Sequence, residues 1–371
     1  LGIPRQAVSS FDQSIEHLAL LDEGFEDTYR FCDSLAQAYT EIARVLAVSF
    51  SDYEGSAQCL GKAIELQKSL VREFPSESPH RTNLANLYNN LGTVVGIGLE
   101  KAVEAEKHFF DAVMVGEELI RDGPDGLTHV GTLAKHLSNL ANLQAEHSGE
   151  AALWTTIEKI ESLIDNSEEA QFRAYLVKIM LDACRILDEG NRDEAAIELM
   201  HKCIVHQRNL VADFPSEPSH QLALVQVLLT AGELLSGEAR FEEAESFYRE
   251  VVSLTEQSSD ASPENEMMRM LRAGCFIGLG RAQNSTGRGE DAAKSLLIAR
   301  ELLDAIPDDQ GSPLLWEELG CAHYDLGQWK DAKEDLEHAL RIGGHQGPNL
   351  TDGNAWWYLA MCLHQLGEVE Q

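Results

Sequence analysis

Few side chains in this 371-residue chain are both chemically reactive and spaced to act together. His201, Cys203 and His206 form the densest set of metal-ligand types. Only Cys203 and His206, three positions apart, share a helical face, and two ligands do not close a zinc site. Cys321/His323 and Cys362/His364 are two apart, so on a helix each pair points in different directions. Gly96-Ile97-Gly98 and Gly278-Leu279-Gly280 begin like nucleotide loops but lack the third glycine. Both fall inside helical patterning, where glycine serves close helix packing. Gly61-Lys62 has no Walker surroundings, and no HRD, DFG, GxSxG or HExxH sequence occurs. The stretch 238–266 carries nine carboxylates against Arg240 and Arg249. A calcium loop would need alternating oxygen ligands around a central glycine, so this stretch reads as a solvated helix face with Asp260-Ala261-Ser262-Pro263 as its loop. No catalytic residue, metal ligand set or cofactor site emerges, and binding is the chemistry left.

Charge narrows the partner. Asp and Glu number 62 against 29 Lys and Arg, a formal net charge of −33. A surface that acidic repels phosphate, so nucleic acid and anionic membrane are excluded as expected partners, and a neutral to basic protein segment is favoured. No stretch has the roughly 18 uncharged apolar residues of a membrane span. Seven cysteines scattered without a CxxC pair read as reduced thiols, and no signal peptide is visible, so a cytoplasmic location is expected. The N-terminus has no initiator Met, which suggests a piece of something longer.

The elements that must carry any binding site come from internal repetition. Residues 67–80, QKSLVREFPSESPH, and 207–220, QRNLVADFPSEPSH, are identical at eight of fourteen positions. Smaller units appear when small residues are followed at helical spacing. Gly280 is followed by Ala292, Leu296 and Ala299 at +12, +16 and +19, and Gly320 by Ala332, Leu336 and Ala339 at the same offsets. Gly232 leads in the same way to Ala244, Tyr248 and Val251. After a one-residue insertion, Gly92 leads to Ala105, Phe109 and Ala112, and Ala43 to Ser56, Leu60 and Ala63. Weaker copies surround Ala141/Ala152 and Ala183/Ala195. Two antiparallel helices cross closely only where one presents Gly or Ala, with a bulky neighbour filling the space alongside. Turns such as Thr286-Gly287-Arg288 and Leu326-Gly327-Gln328 separate the paired helices. The expected fold is an all-α solenoid, a superhelix of antiparallel helix hairpins.

The pattern W-x2-LG-x11-A-x3-F-x2-A, carried by Trp316, Leu319, Gly320, Ala332, Leu336 and Ala339, resembles the tetratricopeptide repeat. Trp356, Leu359 and Ala360 begin another copy. The resemblance implies a right-handed superhelix in one array over 1–371. Its approximate units are 1–24 (half), 27–75, 76–123, 126–166, 168–215, 217–259, 263–307, 311–344 and 353–371 (half). Most units exceed the family's usual ~34 residues. A second, less specific resemblance is to long bacterial chains in which such arrays follow a Ser/Thr protein kinase domain.

By that resemblance the first helices line a concave groove that takes a peptide segment or partner domain. The groove positions carried over are Asn86, Asn89, Asn90 and Thr93 in one unit, and Lys135, Asn139 and Asn142 in another. Gly96 and Ile97 complete the first set and Ser138 the second. Side-chain amides suit the task because each both donates to and accepts from a peptide backbone. A carboxylate clamp of the kind that grips chaperone C-termini is incomplete, since Thr40 stands at the first clamp lysine's place and the expected arginine is absent. The expected function is a non-catalytic protein-interaction scaffold. The alternatives are the regulatory tail of a bacterial Ser/Thr kinase whose catalytic domain lies elsewhere, and an accessory subunit of an assembly or transport complex.

Overall fold

The computed structural model describes residues 28–122, 126–147, 150–257, 266–307, 311–343 and 353–368, and every regular element among them is a helix. The segment expected as the first half repeat, 1–24, lies outside the described residues, as does the loop at 260–263. Contacts divide the chain into two compact units, Leu1–Leu199 and Met200–Gln371.

The first unit holds α1 (Thr28–Phe50), α2 (Tyr53–Glu73), α3 (Ser78–Thr93), α4 (Ala102–Asp122), α5 (Gly126–His147), α6 (Glu150–Asp165) and α7 (Ala170–Glu189). A short π-helical stretch, Val94–Gly98, extends α3. The unit boundary falls within α8 (Asp193–Asp213). The second unit holds α9 (Pro218–Gly237), α10 (Phe241–Gln257), α11 (Glu266–Ser285), α12 (Gly289–Asp304), α13 (Pro313–Asp325), α14 (Trp329–Ile342) and α15 (Gly353–Leu366). In each unit consecutive helices pack on one another, and each first helix also touches the next: α3 on α5 on α7, and α9 on α11 on α13 on α15. This is an all-α solenoid of helical hairpins, as the repeat pattern predicts.

The small residues sit where the hairpins close. A Cβ on Gly280 would stand 2.7 Å from Leu296, on Gly320 2.7 Å from Leu336, on Gly92 2.7 Å from Phe109, and on Gly232 2.5 Å from Tyr248. Real Cβ atoms do not approach so closely, so the bulky residue of each second helix lies in the gap left by a missing side chain. Ala105, Ala244, Ala292 and Ala332 are fully buried at the matching points. In one copy the register differs from expectation: Ala196, not Ala195, is the fully buried alanine, and its carbonyl accepts from the Cys184 thiol. That hairpin carries the same one-residue insertion as those beginning at Ala43 and Gly92, because its first helix runs one residue further past the small position, to Glu189, before the turn. The glycines of the two GxG sequences do the same packing: Gly96 meets Ala105, Gly98 meets Tyr53, and Gly278 meets Tyr248.

The turns explain how each first helix stops. Ser51, Glu100, Asn191, Ala239, Gly287, Gly327 and Gly367 all have φ between +53° and +79°. The next amide reaches back to a carbonyl five residues earlier, as in Arg240 N to Leu235 O (2.8 Å), Arg288 N to Gln283 O (2.9 Å) and Gln328 N to His323 O (2.9 Å), or six earlier after Ser51 and Glu100. This is the Schellman ending, which satisfies the last carbonyls of a helix through one left-handed residue.

The duplicated 14-residue motif builds the turn from a second helix to the next first helix. Gln67 Nε2 donates to His80 O (3.2 Å) and lies 3.0 Å from His80 Nδ1, and Gln207 Nε2 donates to His220 O (2.9 Å). Phe74 and Phe214 pack against the same two imidazoles with ring centres 6.2 and 6.0 Å apart. Pro79 and Pro218 occupy the first turn of the following helix, where the missing N–H costs nothing.

Left-handed backbone costs a residue with a Cβ about 1–2 kcal/mol. Ala239→Gly should therefore raise stability by about 1 kcal/mol, and Gly287→Ala should lower it by a similar amount. Thermal melts of the two variants check this, and equal midpoints would contradict the turn geometry.

Candidate functional site

The amide-rich residues expected to form one wall lie on α3 and α5. The structure brings them together across the interface of these two helices as a ladder of polar pairs. Thr82 Oγ1 lies 3.3 Å from His129 Nδ1, Asn86 Oδ1 lies 3.4 Å from His136 Nε2, and Asn139 Nδ2 donates to Asn89 Oδ1 at 2.8 Å. Asn89 is buried, so its side chain is spent on the helix contact. Thr93 Oγ1 donates to the Asn89 carbonyl at 3.1 Å. Asn90 and Lys135 are exposed, while Asn86, Thr93, Asn139 and Asn142 are half-buried. The Asn142 side-chain oxygen is buried with no hydrogen-bond partner among the described residues.

Asn86 and Asn90 also face α1. Between α1 and α3 lies an open cavity of about 350 Å³ lined by Gln37, Thr40, Glu41, Gln67, Asn83 and Asn90, with Asn86 and Leu87 beside them. Thr40, at the place of the absent clamp lysine, donates its hydroxyl to the Ala36 carbonyl of its own helix (2.8 Å). Gln37 and Asn83 line this cavity and were missed by the sequence reading. Their signal was the same helical spacing that gave Asn86 and Asn90, one turn earlier.

The second unit has its own cavity on the first-helix side, about 510 Å³, formed by α9, α11 and α13 and the start of α10. Glu318 lines it with Glu233, Arg281 and Asp325. Burial raises the Glu318 carboxyl above the usual range against the pull of Arg281, and burial with the neighbouring Glu318 raises Glu233.

Two further polar clusters tie hairpins together. Glu245, expected on a solvated face, is buried instead. It accepts from Arg249 at 2.7 Å and from Arg288 of the next hairpin, and these hydrogen bonds, that of Arg288 foremost, hold its carboxyl below the ordinary range. Asp335 is buried between Arg300 Nε (2.8 Å) and His323 Nδ1 (2.6 Å). Of the metal-ligand types, Cys203 and His206 are buried and His201 is exposed, and no group of three or more ligand side chains gathers among the described residues. No described helix is long and apolar enough to cross a membrane.

The family comparison agrees with this architecture. The tetratricopeptide repeat family model matches residues 225–258 and 313–344. Those segments span α9–α10 and α13–α14, two of the glycine-closed hairpins. Among solved structures, BtubC from P. vanneervenii is 17% identical, covering 66% of this chain and 93% of its own, with a TM-score of 0.44. The apo quorum sensor NprR from B. thuringiensis is 11% identical over 99% of this chain and 94% of its own, TM-score 0.44. A circular tandem repeat protein is 18% identical over 98% and 89%, TM-score 0.46. A search of curated proteins finds no match. The class is thus a helical-hairpin repeat protein. Within it, two hairpins match the tetratricopeptide repeat.

The α3–α5 ladder has a consequence for acid stability. His136 is fully buried, and burial, with Lys135 adjacent, pushes its imidazole down to about 4. Between pH 6.5 and 4 the unfolded chain binds a proton at this position that the folded chain does not. Stability is therefore complete above pH 6.5 and is lost as pH falls toward 4, by up to about 3 kcal/mol from this group. Denaturant unfolding at pH 7 and pH 5 should show a smaller acid loss for His136→Phe than for the parent chain. An identical pH slope in both proteins would remove His136 from the interface.

Proposed function

We propose that this chain binds an extended, neutral to basic segment of a protein partner along the first helices of its N-terminal unit. The observation that carries the reading is the α1–α3 cavity, whose lining includes the amides of Gln37, Gln67, Asn83, Asn86 and Asn90. Asn83, Asn86 and Asn90 stand on successive turns of α3, and side-chain amides, which both donate and accept, suit a peptide backbone of any sequence. On α5, Lys135 is exposed, whereas the Asn142 side-chain oxygen is buried and out of a partner's reach. Asn89, Asn139 and Thr93 support the wall from behind through their mutual bonds. The net charge of −33 favours basic over acidic segments and should make association faster at low salt.

The test uses a partner recovered on the immobilised chain and identified by mass spectrometry. Asn83→Ala with Asn90→Ala should weaken its binding by about 1–3 kcal/mol through unmade hydrogen bonds, with circular dichroism unchanged. Unchanged affinity with an unchanged fold would move the site off this wall.

A further inference from the structure

The α1–α3 cavity is uneven in its hydrogen-bonding groups. Gln67, on α2, is 1% exposed and lines the cavity. Its amide nitrogen is committed to His80, donating to the carbonyl at 3.2 Å and lying 3.0 Å from Nδ1. A carbonyl can only accept, so the amide cannot be turned over, and the oxygen is the end left for the cavity. That oxygen has no hydrogen-bond partner among the described residues. An acceptor held there unmade is costly, and a donor brought by a ligand removes the cost.

Two neighbours on α1 are biased in the same sense. Thr40 gives its hydroxyl hydrogen to the Ala36 carbonyl at 2.8 Å and keeps only lone pairs. Gln37 donates through Nε2 to the Asp33 carboxylate at 2.8 Å, which fixes its oxygen as the free end. Three neutral side chains from two helices thus bring acceptor oxygens to one cavity. Glu41 beside them is already paired with Arg44 at 2.9 Å, so the neutral oxygens carry the selection. Across the cavity, the Asn83 and Asn90 side chains on α3 make no hydrogen bond among the described residues and can turn an oxygen inward. Ala36 and Leu87, both buried, supply apolar wall between the two sides.

We propose that this cavity takes the guanidinium of an arginine in the partner segment. A guanidinium carries five N–H donors and no acceptor, which matches a wall with oxygens to fill and few donors to give. It is flat and more weakly hydrated than an ammonium, so it exchanges water for neutral oxygens more readily. Its aliphatic stem has Ala36 and Leu87 to lie against. The inference rests on the binding reading above and names the side chain that the amide wall selects.

The probe is a fluorescein-labelled (Gly-Ser-Arg)₄ peptide, with twins carrying lysine or citrulline for every arginine. Lysine keeps the charge but loses the fork, and citrulline keeps the shape but puts an acceptor in place of a donor. Fluorescence anisotropy on the full chain at low salt should show both twins weaker by about fivefold or more. Gln67→Met should weaken the arginine peptide by about fivefold, the loss expected from one unmade hydrogen bond. Gln207→Met removes the matching bond to His220 in the second copy of the turn and should leave binding within about twofold. That control separates the Gln67 oxygen from any loosening of the turn. Gln37→Met, at an exposed position, should also weaken the arginine peptide and serves if Gln67→Met fails to fold. Equal binding of the arginine and lysine peptides would overturn the proposal, as would equal effects of Gln67→Met and Gln207→Met. If the recovered partner then still depends on Asn83 and Asn90, the amide wall stands and only its choice of arginine falls.

Discussion

The structure depends on one steric arrangement, a first helix that offers no side chain at the point where a bulky residue of its second helix crosses it. Gly92 under Phe109, Gly232 under Tyr248, Gly280 under Leu296 and Gly320 under Leu336 are four instances of it. Each contact sets the distance, rotation and register of its hairpin at once, because a shift of one residue would drive a Cβ into a ring or an isobutyl group. Glycine in a helix interior carries a penalty of about 1 kcal/mol against alanine. The penalty is offset by the dispersion and burial gained when the two backbones close. Once the hairpins have that shape, the first helices meet one another along one side of each unit, and their remaining faces are left to form the two cavities.

Polar groups then differentiate units that are sterically alike. Three residues past Gly280 and Gly320 stand Gln283 and His323, and three past Ala292 and Ala332 stand Ser295 and Asp335. The same pair of positions is thus bridged by Ser295 to Gln283 at 2.8 Å in one hairpin and by Asp335 with His323 at 2.6 Å in the next. Arg300 reaches from α12 to Asp335, and Arg288 from the α11–α12 turn to Glu245 on α10, so charged bonds join successive hairpins that glycine packing alone would leave less specified. In the first unit Lys159 on α6 likewise reaches Glu117 on α4 at 3.0 Å, but the pairs between α3 and α5, Asn89–Asn139 and Asn86–His136, are neutral. Neutral pairing there leaves amides for the cavity, whereas the second unit leaves carboxylates.

The hairpins were legible in the sequence because close packing restricts residue type at fixed spacing. Glycine at one position and Leu, Phe or Tyr sixteen or seventeen residues later is a constraint that one sequence displays without relatives. The one slip, Ala195 for Ala196, arose where the first helix is longer by a residue and two adjacent alanines hide the insertion. Polar side chains were less legible, since their role is set by what lies across the interface. Asn89 and Asn90 are neighbours of the same type, yet one is buried against Asn139 and the other faces a cavity. Glu245 looked like one carboxylate among nine, and only the approach of Arg288 from the next hairpin distinguishes it. The second-unit cavity was hidden for the same reason, because Glu233, Arg281 and Glu318 come from three helices.

The most direct measurement is a double-mutant cycle at Gly320 and Leu336. Denaturant unfolding would be recorded for Gly320→Ala, Leu336→Ala and the double variant. If the missing side chain exists to admit the larger one, adding a methyl at 320 should harm the parent chain and be tolerated once Leu336 is shortened, giving a favourable coupling of about 0.5–3 kcal/mol. Strictly additive effects would mean that the two residues do not meet, and the hairpin register built on them would fall.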